Sequence, residues 1–389
     1  MAAPFVYNNP RVERILFGRG VVAQLGEEVK KLNGSRVFVV TSPSIARSDL
    51  LQKVKTSLGS LCVGLYDTVK PHSPTSLIVE AAKLATDAGA DTLVSVGGGS
   101  SIDTVKGMAA ILAEGVPLSR LATHFTPPDR KEVPAMPAPK MPHLAIPTTF
   151  SGGEYSYSAG VTEGGTKLIL ADPKLSPRVV LLDPEAAQTA PPKLLAASGM
   201  NALAHCVEAI YSTQTQILSQ AYCMAAVTPI AKFLPRLVAN MEDLAAIGEM
   251  QIAACLSSMG VYSAWTGVHH GIVHAVGGRF QVPHANIHAL VLPYAMRWNL
   301  DATILAQARI ARAMGIDEPD DEKAATEAPE AVYGMNVKMG LPLHLRDLDV
   351  PRNSLPSLAE AALDDMSTHN NPKKITSASQ ILEVLEMAW

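Results

Sequence analysis

The chain has few of the features that mark secreted, membrane or nucleic-acid-binding proteins. Its four cysteines, Cys62, Cys206, Cys223 and Cys255, show no paired spacing, so no disulfide framework is indicated and reduced core thiols are expected. Charged residues make up only 17%, with a net charge of −4 and both signs spread along the sequence. No basic run or aromatic–basic interleaving points to nucleic acid. No unbroken apolar run reaches the roughly 18 residues of a bilayer span. The start, Met1-Ala2-Ala3-Pro4-Phe5, lacks the basic and apolar regions of a signal peptide. A cytoplasmic protein with no membrane or nucleic-acid partner is therefore expected. Apolar residues, at 48% of 389, are abundant and give room for two domains with generous cores. The composition is that of an enzyme, not of a disordered or fibrous chain.

The first half alternates strand and helix. Arg14-Ile15-Leu16-Phe17, 36–41, 61–66, 91–96, 144–147 and 179–183 read as strands. Helical patterns fill 21–32 and 75–88 and resume from Ile102. Such alternation predicts a parallel sheet covered on both faces. A proline-rich loop occupies 127–142. After Pro184 the pattern is helical throughout, with one helix expected to start at a Ser198 cap and an acidic loop and helix start at 318–332. The expected domains are 1–183, α/β, and 184–389, helical.

Two loops in the first half suit a dinucleotide. Gly97-Gly98-Gly99-Ser100-Ser101 joins a buried strand to a helix, where bare backbone N–H groups and a helix N-terminus attract phosphate. Three consecutive glycines are more than a tight turn needs, although the run is neither a G-x-G-x-x-G fingerprint nor a P-loop. Asp103 and Lys106 follow on that helix, either as ligand contacts or as a surface pair. Pro147-Thr148-Thr149, with Ser151-Gly152-Gly153, offers hydroxyls and amides for a second face of the same ligand. At the first βα turn, Thr41-Ser42-Pro43 has no acid to hold a ribose 2′-hydroxyl, so NADPH is admitted beside NADH.

The second half concentrates imidazoles. Of eleven histidines, His269, His270, His274, His284 and His288 fall within twenty residues. His270 and His274 are four apart and share a helix face. The Gly277-Gly278 pair ends that helix, and Pro283 can turn His284 back towards it. Asn201 and His205 form a second i, i+4 pair. Three converging imidazoles make either a metal site or an acid/base site.

Together these motifs resemble the iron-containing (group III) alcohol dehydrogenase superfamily: G-G-G-S-x-x-D-x-x-K at 97–106, P-T-T at 147–149, H-x3-H-x2-G-G from His270 with Pro283-His284, and the ending Asn371-Pro372-Lys373. The resemblance covers nearly the whole chain. It implies a Rossmann-like parallel-sheet domain followed by an all-helical domain, as in the dehydroquinate synthase-like architecture. Ser42, Gly97, Gly98, Gly99, Ser100, Asp103, Thr148, Thr149 and Lys167 form the expected cofactor-binding set. Within the superfamily, Ser198-Gly199-Met200-Asn201-Ala202 and Pro283-His284-Ala285 with His288 are similar to maleylacetate reductases. The wording of 97–103 is nearer that of alcohol dehydrogenases.

The metal-dependent branch uses one aspartate and three histidines, positions that fall on Asn201, His205, His270 and His284. Asn201 removes a negative charge from that set. The resemblance therefore implies that no metal is required; if one binds, His205, His270 and His284 are its ligands. It further implies hydride transfer from NADH or NADPH to maleylacetate, giving 3-oxoadipate, in aromatic-compound degradation. His205, His270 and His284 would cradle developing negative charge with Asn201 assisting, and His274 would donate a proton or touch substrate. Arg279 and Lys167 are the candidate cations for a keto-dicarboxylate. The alternatives are an iron- or zinc-dependent alcohol or hydroxy-acid dehydrogenase and a non-catalytic nucleotide binder. A homodimer is the superfamily's habit.

Overall fold

The computed structural model describes residues 5–9, 11–127, 130–280 and 282–389. Gln281, part of the proline-rich loop and most of the segment weighed as a targeting signal lie outside the described residues. The described residues fall into two units: one within Pro10–His124 and Lys131–Pro191, the other within Met1–Asn9, Phe125–Arg130 and Pro192–Trp389.

The strands are β1 (Arg14–Phe17), β2 (Val37–Thr41), β3 (Cys62–Tyr66), β4 (Thr92–Gly97), β5 (His124–Thr126), β6 (Arg130–Glu132), β7 (His143–Pro147), β8 (Ser158–Glu163), β9 (Thr166–Ala171) and β10 (Val179–Leu182). Six form one sheet in the order β1-β10-β7-β4-β2-β3, with every pairing parallel. The helices of this half are α1 (Leu25–Lys31), α2 (Pro43–Ala46), α3 (Asp49–Leu58), α4 (Thr75–Asp87), α5 (Gly99–Glu114) and α6 (Pro184–Ala187).

Each central strand is buried along its whole length, because helices cover both faces. Alternate residues of β2 show the two layers. Phe38 and Val40 pack with Ile78 of α4 and with Val105 and Met108 of α5. Val37 and Val39 pack with Leu50 and Val54 of α3. This is the doubly wound sheet that the strand–helix alternation predicts. The strand order reverses between β2 and β4, so the crevice beyond their carboxyl ends is the place where such sheets bind ligands. The antiparallel β8–β9 hairpin is an addition to the expected elements. Its turn residues, Gly164 and Gly165, both have positive φ, 56° and 84°, as a tight hairpin turn requires.

The second unit is built from α7 (Pro192–Tyr211), α8 (Ile217–Ala239), α9 (Leu244–Ala264), α10 (Val268–Arg279), α11 (His284–Trp298), α12 (Leu300–Ala313), α13 (Asp321–Met339), α14 (Leu355–Leu363) and α15 (Ala378–Ala388). Among the described residues no strand falls in 192–389. Ser198 is not a cap. The helix already begins at Pro192, a favourable first residue, and the Ser198 hydroxyl bonds inside it to the Leu195 carbonyl at 3.2 Å. By length and composition, α8 and α9 are apolar enough to cross a bilayer, with mean hydropathies of 1.3 and 1.4; here they pack on each other and on α7. Val268, Ile272, Val273 and Val276 of α10 share a core with Ile287, Leu290 and Val291 of α11 and with Leu358 and Ala362 of α14. That core fixes the two histidine-bearing helices side by side.

One buried imidazole of the sheet makes stability depend on acid. His143, in β7, is hydrogen-bonded to the Ser95 hydroxyl at 2.8 Å. Burial, helped by the nearby Lys106 ammonium, pushes its pKa down to about 3. A free imidazole titrates near ~6.5, so the unfolded chain takes up this proton first. The contribution of neutral His143 is complete above that value and is lost as pH falls through the folded pKa. In that window stability should fall by up to ~1.4 kcal/mol per pH unit from this group. Urea unfolding at pH 7, 6, 5 and 4 should show that slope in the wild type and a shallower one in His143→Gln.

Candidate active site

The glycine loop closes the carboxyl end of β4. Gly97 has φ 144°, a conformation open to glycine, and a Cβ there would lie 2.5 Å from the Ser101 hydroxyl. Gly98 is the extended N-cap of α5, and Gly99 and Ser100 form its first turn. No side chain caps that helix end, so its first N–H groups are available to an anion. The Pro147-Thr148-Thr149 loop lies against it: the Thr148 N–H donates to the Gly97 carbonyl at 3.0 Å, and a Cβ on Gly98 would sit 3.0 Å from the Thr149 methyl. Ser42 stands at the N-cap position of α2 at the end of β2, its hydroxyl 2.9 Å from that of Ser44, and the Thr41 hydroxyl donates to the Val96 carbonyl at 2.7 Å. The loops at Ser42, Gly97–Ser100 and Thr148–Thr149 thus border the point where strand order reverses.

Asp103 and Lys106 face inward. An Asp103 carboxylate oxygen accepts from the Gly160 N–H at 3.1 Å, and burial raises its pKa. Lys106 is fully buried and donates to the carbonyls of Gly153 (2.6 Å) and Ser158 (2.8 Å). It therefore ties α5 to the loop that follows Thr149. Burial lowers its pKa to about 8 and raises that of buried Glu154 to about 7. Lys167 is exposed on β9, with its Cε close to Gly160.

The second constellation lies wholly among the helices. Asn201 and His205 stand one turn apart on α7, His270 and His274 on α10, and His284 and His288 on α11. The structure brings together four of the expected rings: His205 and His270 stack with centroids 5.1 Å apart, and His274 and His284 stack at 5.8 Å. Arg279 is not part of this group; its guanidinium is exposed and donates to the Ser357 hydroxyl.

Four residues outside the expected set, Glu208, His269, His288 and Asp365, complete the cluster. Glu208, fully buried on α7, accepts from the ring Nδ1 of His270 and from the backbone N–H of His269 at 3.0 Å. Burial opposes its charge, but the histidine donors outweigh burial and hold the carboxyl well below the usual range. His288 lies 4.7 Å from His270 and 4.6 Å from His284, centroid to centroid. Asp365 pairs with His274, whose Nδ1 sits 2.8 Å from its Oδ2. Burial keeps the neighbouring rings neutral, pushing His205 down to about 3, His270 to about 4 and His288 well below the ordinary value. The i, i+7 relation of Asn201 to Glu208, two helical turns on one face, was the available sign of Glu208. Asp365 gave none, since only the fold brings it to α10.

This geometry corrects the expectation that no metal is required. One ring nitrogen from each of His269, His270 and His288, all buried, lies within 4.8 Å of the others. The Nε2 of His270, the Nδ1 of His288 and the Nδ1 of His205 are buried without a hydrogen-bond partner among the described residues. Orphaned imidazole nitrogens cost folding free energy unless something binds them. A histidine whose other nitrogen is held by a carboxylate, as His270 is by Glu208, is the common form of a metal ligand. Asn201 had suggested a site short of charge; Glu208, one bond further out, restores it.

The cofactor assignment has a direct test. Gly98→Val would press on Thr149 and crowd the helix end. It should raise the dissociation constants of NADH and NADPH on the order of tenfold, ~1.4 kcal/mol, as read by cofactor fluorescence, with metal content unchanged. Unaltered affinity would remove this loop from the cofactor site.

Comparison with known proteins agrees with both halves. Residues 12–184 match the family described as iron-containing alcohol dehydrogenase, and residues 195–389 match its C-terminal family. The chain is 33% identical to the lactaldehyde reductase of Escherichia coli K12, covering 97% of this chain and 98% of that protein. It is 30% identical to a maleylacetate reductase of Burkholderia cepacia, with 96% and 95% covered. The crystal structure of a 1,3-propanediol oxidoreductase superposes with a TM-score of 0.92 at 29% identity, over 100% of both chains. The chain belongs to the iron-containing alcohol dehydrogenase family and is an NAD(P)H-dependent oxidoreductase.

Proposed function

We propose that the chain reduces maleylacetate, or a close unsaturated keto-dicarboxylate, to the saturated 3-oxoacid, a step of aromatic-compound degradation. One observation carries the reading: the helical cluster is dense in imidazole and poor in free negative charge. Position 201 is a neutral amide. Of the two carboxylates at the cluster, buried Glu208 is engaged by His269 and His270 and the partly exposed Asp365 by His274. Such surroundings suit a doubly anionic substrate, whereas an aldehyde or simple alcohol has no need of them. The recurrence of maleylacetate reductases among the relatives points the same way.

The bound nicotinamide supplies the hydride, and a bound divalent cation supplies Lewis-acid stabilisation of the ketone oxygen. The chain's part is to position and protonate. As hydride reaches the carbon–carbon double bond, electrons move onto the conjugated carbonyl oxygen, and imidazole N–H donors and Asn201 stabilise that charge. The remaining carbon then takes a proton, and the ketone re-forms. His274 is the proton donor in this scheme, with Asp365 fixing its tautomer as a carboxylate partner does in acid/base dyads.

A second reading is favoured by the glycine-loop wording at 97–103 and by the similarity to a lactaldehyde reductase: metal-dependent reduction of a short hydroxyaldehyde or oxidation of an alcohol. Consumption of NADH and NADPH by protein stripped with chelator and reloaded with iron(II) or zinc(II) separates the two. The first reading expects turnover of maleylacetate that falls on stripping and returns on reloading. Turnover confined to lactaldehyde and short alcohols would sink it. In either case Asp365→Asn should lower kcat on the order of 10²-fold, the lower range for losing general acid catalysis, with a much smaller change in KM.

A further inference from the structure

Resting on the reading that the crevice at the glycine loop holds the dinucleotide, we propose that Asp103 is a positioning residue: it does not touch the cofactor but draws the Lys167 ammonium across Gly160 to the start of α5. The β8–β9 hairpin that carries Lys167 lies outside the six-stranded sheet, so apolar packing and a few polar ties set its place. Two ties come from one face of α5, three residues apart. The Asp103 Oδ2 accepts from the Gly160 N–H at 3.1 Å, and the Lys106 ammonium donates to the Gly153 and Ser158 carbonyls at 2.6 and 2.8 Å. A third comes from the turn before α4. The Ser73 carbonyl accepts from the Thr162 N–H at 3.2 Å, and the Ser73 hydroxyl donates to the Ser100 carbonyl at 3.0 Å. Thr162 lies directly across the hairpin from Lys167. The root of the Lys167 side chain is thereby fixed beside the first turns of α5.

The course of that side chain depends on what Gly160 lacks. A Cβ there would lie 3.0 Å from Lys167 Cε, 3.7 Å from its Nζ and 3.8 Å from Asp103 Oδ2. Ammonium and carboxylate thus converge over a bare backbone. Gly160 is not among the glycines with positive φ, so its part is to leave space. Charge agrees with the geometry. Burial raises the Asp103 pKa, and the Lys106 ammonium, the Gly160 N–H and the Lys167 ammonium oppose that rise. His72, beside Ser73, also feels Lys167, which adds to the effect of burial in lowering its pKa. An isolated carboxylate one turn into a helix whose end attracts phosphate would repel the cofactor. Set between two ammonium groups, Asp103 instead holds a cation where an anionic ligand can meet it.

Fluorescence titration of NADH and NADPH into the full-length protein tests this through a double-mutant cycle. Asp103→Asn keeps an oxygen for the Gly160 N–H and removes the charge. It should raise both dissociation constants about tenfold, and Lys167→Ala should raise them at least as much. In the Lys167→Ala background, Asp103→Asn should then cost less than about twofold, because the group it steers is gone. A residue that only supports the fold, or that touches the cofactor itself, would cost its full factor in both backgrounds, and that outcome overturns the proposal. Should Asp103→Asn fail to fold, Gly160→Ala displaces Lys167 with no change of charge. It too should weaken binding in the wild type and not in the Lys167→Ala background; equal losses in both overturn the proposal. Unchanged affinity in Lys167→Ala overturns it as well. The cofactor reading then stands if Gly98→Val still weakens binding, and falls with the proposal if it does not.

Discussion

The helical half is organised around one buried carboxylate. Glu208 has no exposed surface and lies on a helix whose neighbouring residues, Cys206, Val207, Ala209 and Ile210, are buried and apolar. An ionised group there is affordable only with close donors. It finds them in the His270 ring and the backbone N–H at the start of α10. The pairing forces α7 and α10 together, fixes the tautomer of His270 and turns its free nitrogen to the other side. The start of α10 is held by a second polar tie, the Val268 N–H donating to the Asn371 side chain at 3.2 Å. Gly267 is needed between these ties, because a Cβ there would lie 2.7 Å from Asn371 Oδ1 and 3.0 Å from Glu208 Oε1. The metal-competent face of the cluster is thus a consequence of how the buried charge is satisfied.

The fold was legible because its signals are local. β2, β7 and β10 are mostly apolar runs, β4 is interrupted only by Ser95, and that pattern suffices for strands buried on both faces. The β8–β9 hairpin leaves little trace in the sequence because its residues alternate weakly, although Gly164-Gly165 marks its turn. The Ser198 signal misleads for the opposite reason. A cap residue looks the same in sequence whether it opens a helix or lies inside one, and the Pro192 start six residues earlier decided the matter.

The site was legible only in part, and the boundary is physical. Spacing of four on one helix places Asn201 with His205 and His270 with His274, because one turn of helix is a local fact. It cannot say which nitrogen of a ring is already spent. His269 and His288 carry the same residue type as His270 and His284, yet their roles are divided by hydrogen bonds to a carbonyl of another helix and to a carboxylate on α7. The inference from Asn201 to a metal-free site failed for this reason. It counted charge at the ligand positions alone, and the compensating charge lay one hydrogen bond away on Glu208.

The same logic explains why the two carboxylates of the cluster serve different ends. Glu208 is sealed, and its partner His270 is kept neutral by burial, so the pair suits holding a cation and not exchanging protons. Asp365 and His274 are each more than a fifth exposed. A proton taken from His274 can therefore be replaced from water, which a proton donor that turns over requires. Donors to Asp365 from His274 and from the Ser367 N–H at 2.8 Å outweigh its burial and lower its pKa, so it stays an acceptor throughout. One carboxylate–imidazole pair is closed and one is open, on the same face of α10 and a single turn apart. In the proposed scheme the cation-holding pair and the proton-donating pair therefore differ in solvent access.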